Sequence, residues 1–320
     1  MESFGSIECF VRSAEGGSFA EAARHLSLTP AAVGKSVAKL EARLGVRLFQ
    51  RSTRRLTLTE AGKLFLEEVS ASLTTIQNAV ANLASAEGRP AGTLKVSMGT
   101  VVGCLYIVPL LGEFLKRFPD ISPDWHFDNR QVDLIGQGFD AALGGGFELP
   151  QGVVARKLAP AHRVLVASPD YLAARAAVLQ PKDLERCDGI LIRSPQTGRV
   201  RSWQLTGRDG EHGPLNLTAR MTMSDSQAAC IAADQALGIA LVSMPFAVPW
   251  LASGKLVRVL PDWYVDDGNI SIYYAQHKLL PGKTRAFVDF IIEQFAEQQL
   301  SQRFSAASQS PSSASASHRS

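Results

Sequence analysis

Residues 10–62 read FVRSAEGGSFAEAARHLSLTPAAVGKSVAKLEARLGVRLFQRSTRRLTLTEAG. This stretch carries a string of local signals in a fixed order. Upstream and into it, Ser3 to Ala14 places Phe4, Ile7, Phe10 and Val11 on one helical face, and Gly16-Gly17 ends that helix. Ser18-Phe19-Ala20-Glu21 is a capping box: the Ser side chain caps a new helix, and the Glu three residues on caps the Ser amide. The second helix, Phe19 to His25, is short, and Ala22 and Ala23 let a neighbour approach closely. Ser27-Leu28-Thr29 is a turn, after which Thr29 is an N-cap and Pro30 a first-turn residue. The third helix runs from Pro30 to Leu44 and stops at Gly45. Val33, Val37, Leu40 and Leu44 form its apolar face; Ala31, Ala32, Gly34, Lys35 and Lys39 lie opposite. Val46 to Gln50 and Leu56 to Leu58 then read as two strands around a basic tip, Arg51-Ser52-Thr53-Arg54-Arg55.

Two short helices joined by a tight turn, the second small and basic at its exposed start, match a helix-turn-helix. Small side chains let such a helix sit deep in a major groove about 12 Å wide. Lys35 reaches towards a guanine edge and Lys39 towards a phosphate, while the hairpin tip acts as a wing whose Arg enters a minor groove or grips the backbone. The expected DNA-contacting residues are Ser18, Thr29, Pro30, Ala31, Gly34, Lys35, Lys39, Arg51 and Arg54. Charge supports this. From Lys35 to Lys63 there are eight Lys or Arg against Glu41 and Glu60, a local excess larger than the +3 of the whole chain. A charge run alone would fit an ordinary solvated face; the joint order of box, turn, capped helix and basic hairpin favours DNA.

The same residues carry a family resemblance. GSFAEAARHL, AVGKSVAKLEARLGVRLFQR and RLTLTEAG are similar, segment by segment, to the N-terminal winged helix-turn-helix of LysR-type transcriptional regulators. The chain departs from many relatives at Pro30, where they carry Gln, and at Gly34, where they carry Ser. Both positions face DNA in the family, so the resemblance does not extend to base preference.

Thr59 caps a helix expected to reach about Glu87. Leu66, Leu73 and Val80 repeat every seven residues, as do Val69, Ile76 and Leu83, offset by three. These are the a and d positions of a short coiled-coil seam, the alternative being an amphipathic helix packed on its own domain. A dimer would place two reading heads on one duplex and require an inverted-repeat site. The resemblance implies the same linker helix and dimers that pair into tetramers.

Gly88 to Gly92 breaks that helix. Beyond it, strands are expected at Thr93 to Met98, Asp124 to Asp128, Ala141 to Leu143, Val153 to Lys157, Val164 to Ser168, Gly189 to Ile192, Ala219 to Met223, Ile239 to Val242, Leu256 to Leu260 and Ile270 to Tyr274. Helices intervene, from about Cys104 to Phe118, Ser226 to Ala236 and Lys283 to Gln298. Alternating strands and helices argue for an α/β arrangement, which binds ligands beyond its strand C-termini. QVDLIGQGFDAAL, RKLAPAHRVLVASPDYL, DLERCDGILI and ADQALGIALVSMP resemble the effector domain of LysR-type regulators. That resemblance implies a fold similar to periplasmic binding proteins, two α/β subdomains around a cleft, with the chain crossing near Ala167 and returning near Gly268. Carried over by position, the cleft candidates are Gly99, Thr100, Asn129, Gly144, Gly145, Arg193, Ser194, Asp225 and Met244, beside Pro245. Gly144 stands where relatives carry Arg. The expected organisation is a winged helix-turn-helix over 1–59, a linker helix over 60–88 and an effector domain over 93–300. Within the last, one subdomain covers about 93–166 and 269–300 and the other about 167–268. The tail over 301–320, rich in Ser, Ala and Gln, is expected to be disordered.

Other functions fail their context tests. Gly136-Gln137-Gly138-Phe139-Asp140-Ala141 fits a loose dinucleotide pattern but follows a helical stretch, and Gly282-Lys283-Thr284 lacks the earlier Gly of a P-loop. No HExxH or GxSxG occurs, and the six His have no ligand spacing. Cys9, Cys104, Cys187 and Cys230 form no CxxC; Cys187 and Cys230 are the only candidates for a redox pair. With no secretory or membrane segment at its N-terminus, the chain reads as cytoplasmic. The expected function is a DNA-binding transcriptional regulator, not an enzyme, without metal or cofactor. Its partners are double-stranded DNA, a small effector for which an organic acid fits, RNA polymerase if it activates, and further copies of itself. The rival is a small-molecule-binding protein or enzyme with a basic N-terminal appendage.

Overall fold

The computed structural model describes residues 4–50, 56–84, 89–145, 152–276 and 280–307. Helices α1 (Phe4–Gly16), α2 (Phe19–Leu26) and α3 (Pro30–Leu44) form the N-terminal unit. Ser18 and Thr29 cap α2 and α3 as the sequence specifies, but the Glu21 half of the expected capping box does not form, its carboxylate pairing with Arg24 instead. Ser18 Oγ accepts from the Glu21 amide at 3.1 Å, and Thr29 Oγ1 accepts from the Ala32 amide at 3.2 Å. Ser27 and Gly45 close α2 and α3 in left-handed conformations. The three helices enclose Phe10, Val33, Val37 and Leu40, all essentially without solvent exposure. Phe10 packs on Phe49 and on Phe65, each with ring centroids 5.4 Å apart, so one side chain joins the helices, the strand after α3 and the next helix.

That next helix is α4 (Glu60–Ala84). Its apolar stripe divides. Leu66 and Val69 pack against the N-terminal core and Leu73 is buried in it, whereas Ile76 is 47% exposed. The first part of the expected seam therefore serves its own domain. The side chains of Val80 and Leu83 lie outside the described residues, as do Arg51 and Arg54 of the wing tip.

The remainder is one mixed sheet with helices against it. Its elements are β1 (Gly92–Met98), α5 (Thr100–Val102), α6 (Leu111–Arg117), β2 (Ile121–Phe127), β3 (Ala141–Gly145), β4 (Val153–Ala167) and α7 (Pro169–Ala173). After these come β5 (Asp188–Ile192), β6 (Gln204–Gly207), β7 (His212–Pro214), β8 (Thr218–Met223), α8 (Ser226–Asp234), β9 (Ile239–Ser243) and α9 (Met244–Ala252). The chain ends with β10 (Val257–Val259), β11 (Trp263–Ala275), α10 (Gly282–Glu297) and α11 (Leu300–Arg303). The strand order is β2-β1-β3-β11-β4-β9-β5-β8. β1 is parallel to β2 and β3, and β5 is parallel to β8 and β9. Between these parallel halves run β4 and β11, antiparallel to each other. Each long strand belongs to both halves: β11 meets β3 from Ile270 onwards, and β4 meets β9 from Arg163 onwards.

Here the structure corrects four expectations. Val153 to Lys157 and Val164 to Ala167 are not two strands but parts of β4, and Ser168 N-caps α7. Pro160, which interrupts the β pattern, sits opposite Asn269 at a register shift in β11, where a missing N–H is tolerated. The change of partners lies near Pro160 to Arg163, ahead of Ala167. The helix expected from Cys104 to Phe118 is broken by a π turn over Gly103–Ile107 and a 3-10 turn over Val108–Leu110, where Pro109 has no N–H to give. No sequence pattern marks the β6–β7 hairpin or α9, which carries Pro245 and Pro249.

The fourth correction concerns the tail. Residues 300–306 are ordered: Phe304 is fully buried, in edge contact with Tyr106 at 4.9 Å. The Ala306 amide donates to His162 Nδ1 at 2.9 Å, and its carbonyl accepts from Arg258 Nη1 at 3.2 Å. The composition averaged over 301–320 hid one aromatic anchor. Phe304→Ala is expected to lower stability by about 3–5 kcal/mol, the usual loss for a buried Phe. Urea unfolding measures it, and an unchanged midpoint would remove the segment from the core.

His162 adds a pH dependence. Burial holds its imidazole below the ordinary value of 6.5, Asp266 opposes this, and Lys157 and Arg258 add to it. The unfolded chain therefore binds the proton at higher pH than the native one. Stability is complete above about pH 6.5 and falls as pH drops below it. His162→Gln should flatten that acid limb in a urea-melt series; an unaltered limb would assign it to other groups.

Candidate nucleic-acid interface and ligand cleft

On α3 the residues Thr29, Pro30, Ala31, Lys35 and Lys39 are exposed together, and Gly34 is half-buried among them. Ser18, Thr29 and Pro30 are the two cap positions and the first turn, so they set the direction of the reading face. A Cβ on Gly34 would lie 3.8 Å from the Phe19 ring, an ordinary contact. Packing does not demand glycine there. Its small size is available to whatever α3 approaches.

The wing is braced from below by a group that sequence reading missed. Glu41 is buried, and its Oε1 accepts from the Leu48 amide at 2.7 Å and the Phe49 amide at 3.0 Å; Oε2 accepts from Arg47 Nη1 at 3.0 Å. The two expected strands reduce, among the described residues, to a bridge between Phe49 and Leu58, flanked by Gln50 N–H to Thr57 O at 2.8 Å and Thr59 N–H to Leu48 O at 2.9 Å. Thr59 Oγ1 caps α4 by accepting from Gly62 N–H at 2.9 Å. A Cβ on Gly62 would come within 2.1 Å of the Leu48 carbonyl oxygen, so only glycine lets α4 lie against the wing strand. Glu41→Ala would leave two buried amides unpaired. It is expected to cost about 1–3 kcal/mol of stability and to weaken DNA binding with it. Thermal melts and a DNA titration check both; loss of neither would contradict the bracing role.

The second site lies where the two half-sheets meet. A cavity of about 570 Å³ adjoins one of about 180 Å³, and Asn129, Gly145, Arg163, Phe246 and Asp267 line both. The larger volume suits a small organic ligand. Of the expected cleft residues, Gly99 and Gly144 line the smaller cavity, Arg193 and Ser194 the larger, and Asn129 and Gly145 both. Asn129 Oδ1 accepts from the Thr100 amide at 3.1 Å, which spends that amide; Thr100 lines neither cavity. A Cβ on Gly145 would meet the Asn269 carbonyl oxygen at 2.1 Å, so the β3–β11 contact beside the cleft needs glycine. Two expectations are displaced by one position. Asp225 turns back to cap α8, accepting from the Ala228 amide at 2.8 Å, and its neighbours Ser224 and Ser226 line the wall instead. Met244 is wholly buried in the core, while Ser243 before it lines both cavities.

Residues that sequence reading missed supply most of the cleft's charge. Asp267, at 7% side-chain exposure, accepts from Arg163 Nε at 2.8 Å and from Arg201 Nη1 at 3.2 Å. Both guanidiniums lie over the Trp203 ring, at 4.8 and 4.1 Å from its centroid. Below the cleft, Tyr106 hydroxyl donates to the Pro245 carbonyl at 2.9 Å, and burial pushes that phenol up to about 12. The two candidate redox thiols are not activated. Cys187 and Cys230 are free and sit in separate apolar clusters, and burial raises both, Cys230 to about 12. Among the described residues no group of His, Cys, Asp and Glu could hold a metal ion, and no helix is long and apolar enough to cross a membrane.

A basic helix-turn-helix with a braced wing, joined by one long helix to a sheet that is cleft at its middle, defines a ligand-responsive DNA-binding regulator. Residues 4–63 match the family model described as the bacterial regulatory helix-turn-helix protein of the LysR family, and residues 87–296 match the LysR substrate binding domain. The chain belongs to the LysR family of transcriptional regulators. It is 34% identical, over 88% of its length and 83% of the relative's, to an HTH-type transcriptional regulator of Xanthomonas campestris pv. campestris. With the regulator PtxR of Pseudomonas aeruginosa it shares 30% identity over 90% of this chain and 91% of that one. The full-length structure of AphB, a virulence activator of Vibrio cholerae, superposes with a TM-score of 0.57 at 26% identity, covering 91% of this chain and 99% of that one. The regulator CrgA of Neisseria meningitidis gives 0.56 at 27% identity, covering 91% and 98%. The protein is thus a DNA-binding transcriptional regulator controlled through an effector-binding domain. Its relatives are regulators rather than enzymes.

Proposed function

We propose that a dimer of this protein reads an inverted-repeat promoter site, with α3 in the major groove and the wing on the backbone, and that a small organic acid in the cleft resets its geometry. The exposed face of α3 carries this reading: Lys35 and Lys39 project beside small residues on a helix whose start is fixed by Thr29 and Pro30. On this reading Lys35 contacts a base edge, Lys39 and Arg51 hold phosphates, and Arg54 serves the wing. The division into a DNA head over 1–59, a linker over 60–88 and a two-part effector domain follows the same reading, and the action is in the cytoplasm. Linker helices pair through the later part of the heptad pattern, Ile76 with Val80 and Leu83, and dimers join into tetramers. Contact with RNA polymerase follows if the bound complex activates.

Selection of bound sequences from random duplex DNA by the full-length protein tests the reading. Enrichment of an inverted repeat supports it, and failure to enrich any motif, with or without a metabolite extract, would contradict it. Lys35→Ala should relax selectivity at one base position by about 1–3 kcal/mol. Unchanged preference would remove Lys35 from direct readout. Ile76→Asp should give monomers at micromolar concentration by light scattering without disturbing the N-terminal core, which Leu73→Asp would do. A persistent dimer would place the seam elsewhere.

A further inference from the structure

Four charged side chains line the larger cavity: Arg163, Arg193, Arg201 and Asp267. The single carboxylate is already committed to two of the three arginines. Its position in the backbone is unusual. Asp267 stands in β11 inside the register shift between Asp266 and Asn269, and Gly268 beside it has a φ of +81°. A bulge re-aims a side chain out of the regular alternation, and here it turns one strand residue into the cleft. Arg163 stands on β4 opposite Val265, two residues before Asp267, and Arg201 comes from the loop that follows β5. The bridge therefore ties both inter-half strands to the wall of one half. The rest of the wall is mixed, with apolar Ile190, Leu241 and Phe246 beside polar Gln131, Asn216 and Ser243.

We propose that Asp267 is a resident carboxylate of the cleft, occupying the Arg163–Arg201 guanidinium pair that the carboxylate of a ligand takes when it binds. The inference rests on reading this cavity as the effector site. It names the ligand class, a small molecule that presents one carboxylate to the two guanidiniums. Exchange of one carboxylate for another leaves the charge on the two guanidiniums compensated, whereas a neutral ligand would have to leave the pair in place. It also names the consequence. A displaced Asp267 releases the bulge in β11, so ligand entry acts directly on a strand shared by both halves. An internal competitor raises the apparent dissociation constant by the inverse of the fraction of time the site is vacant.

The test uses full-length wild type, Asp267→Asn and Arg201→Gln, titrated calorimetrically with benzoate and with benzamide as its neutral counterpart. Asp267→Asn should bind benzoate about tenfold more tightly than wild type, the gain from a competitor that holds the site about nine-tenths of the time. Arg201→Gln, altered at a largely exposed side chain, should bind it more weakly than wild type. Benzamide should not distinguish the three. Equal benzoate affinities, no benzoate binding by any of them, or the same ranking with benzamide would overturn the proposal. If Asp267→Asn does not fold, the comparison of wild type with Arg201→Gln decides. The effector reading stands or falls separately, on whether a metabolite extract changes DNA binding. A response to extract with equal benzoate affinities would overturn only the resident-carboxylate inference. The predicted benzoate ranking without any response to extract would overturn only the effector reading.

Discussion

The antiparallel pairing of β4 with β11 is the constraint on which the rest of the effector domain depends. Two parallel half-sheets cannot be fused edge to edge in one direction and still leave an open cleft at their strand ends. Two long antiparallel strands solve this, because each contributes one end to each half. The crossing must then accommodate a bend. Pro160 opposite Asn269 and the register shift around Gly268 supply it within the strands themselves, and no separate linker is needed. The cleft forms where the pairing is least regular, so the residues that line it also sit on its hinge.

The DNA-binding end follows a different logic. Its geometry is set by caps at α2 and α3 and by one aromatic cluster in which Phe10 touches both Phe49 and Phe65. Because Phe65 belongs to α4, the orientation of the reading helix and the start of the linker share a core. Glu41 extends that rigidity to the wing by holding two amides and Arg47 on one carboxylate. A burial cost for a charged group is offset here by three hydrogen bonds, one of them to a cation. In the effector domain, Lys283 Nζ is buried with Asp140 at 2.8 Å and also reaches the Thr93 carbonyl. This joins α10 to β1 just after the chain enters the sheet. At its start, α4 is held by the N-terminal core through Phe65, Leu66, Val69 and Leu73.

The three N-terminal helices and their boundaries were legible because their signals are local. Ser18 finds its partner three residues on, and so does Thr29. Glu41 was not legible, since a charge on a basic helix reads as solvent-facing until the strand at Leu48 and Phe49 folds over it. The cleft was legible as a place and only partly as a set of residues. Asn129, Gly144, Gly145, Arg193 and Ser194 fall at strand ends, where position predicts exposure to the crevice. Met244 and Asp225 fail by one residue, because at the end of a strand or the start of a helix one step exchanges wall for core or cap. Arg163 and Asp267 lie 104 residues apart and meet only through the β4–β11 pairing, whose length Pro160 concealed. Phe304 shows the same limit for composition: one aromatic in a polar segment anchors it in the core.

Regulation requires that the state of the cleft reach the DNA. The direct measurement is nuclease footprinting of the full-length protein on its selected duplex, with and without the small-molecule fraction of the producing cells. A footprint that changes in length, or gains or loses hypersensitive positions, while the inverted repeat stays protected is the predicted result. An identical footprint at every concentration of that fraction would contradict the account.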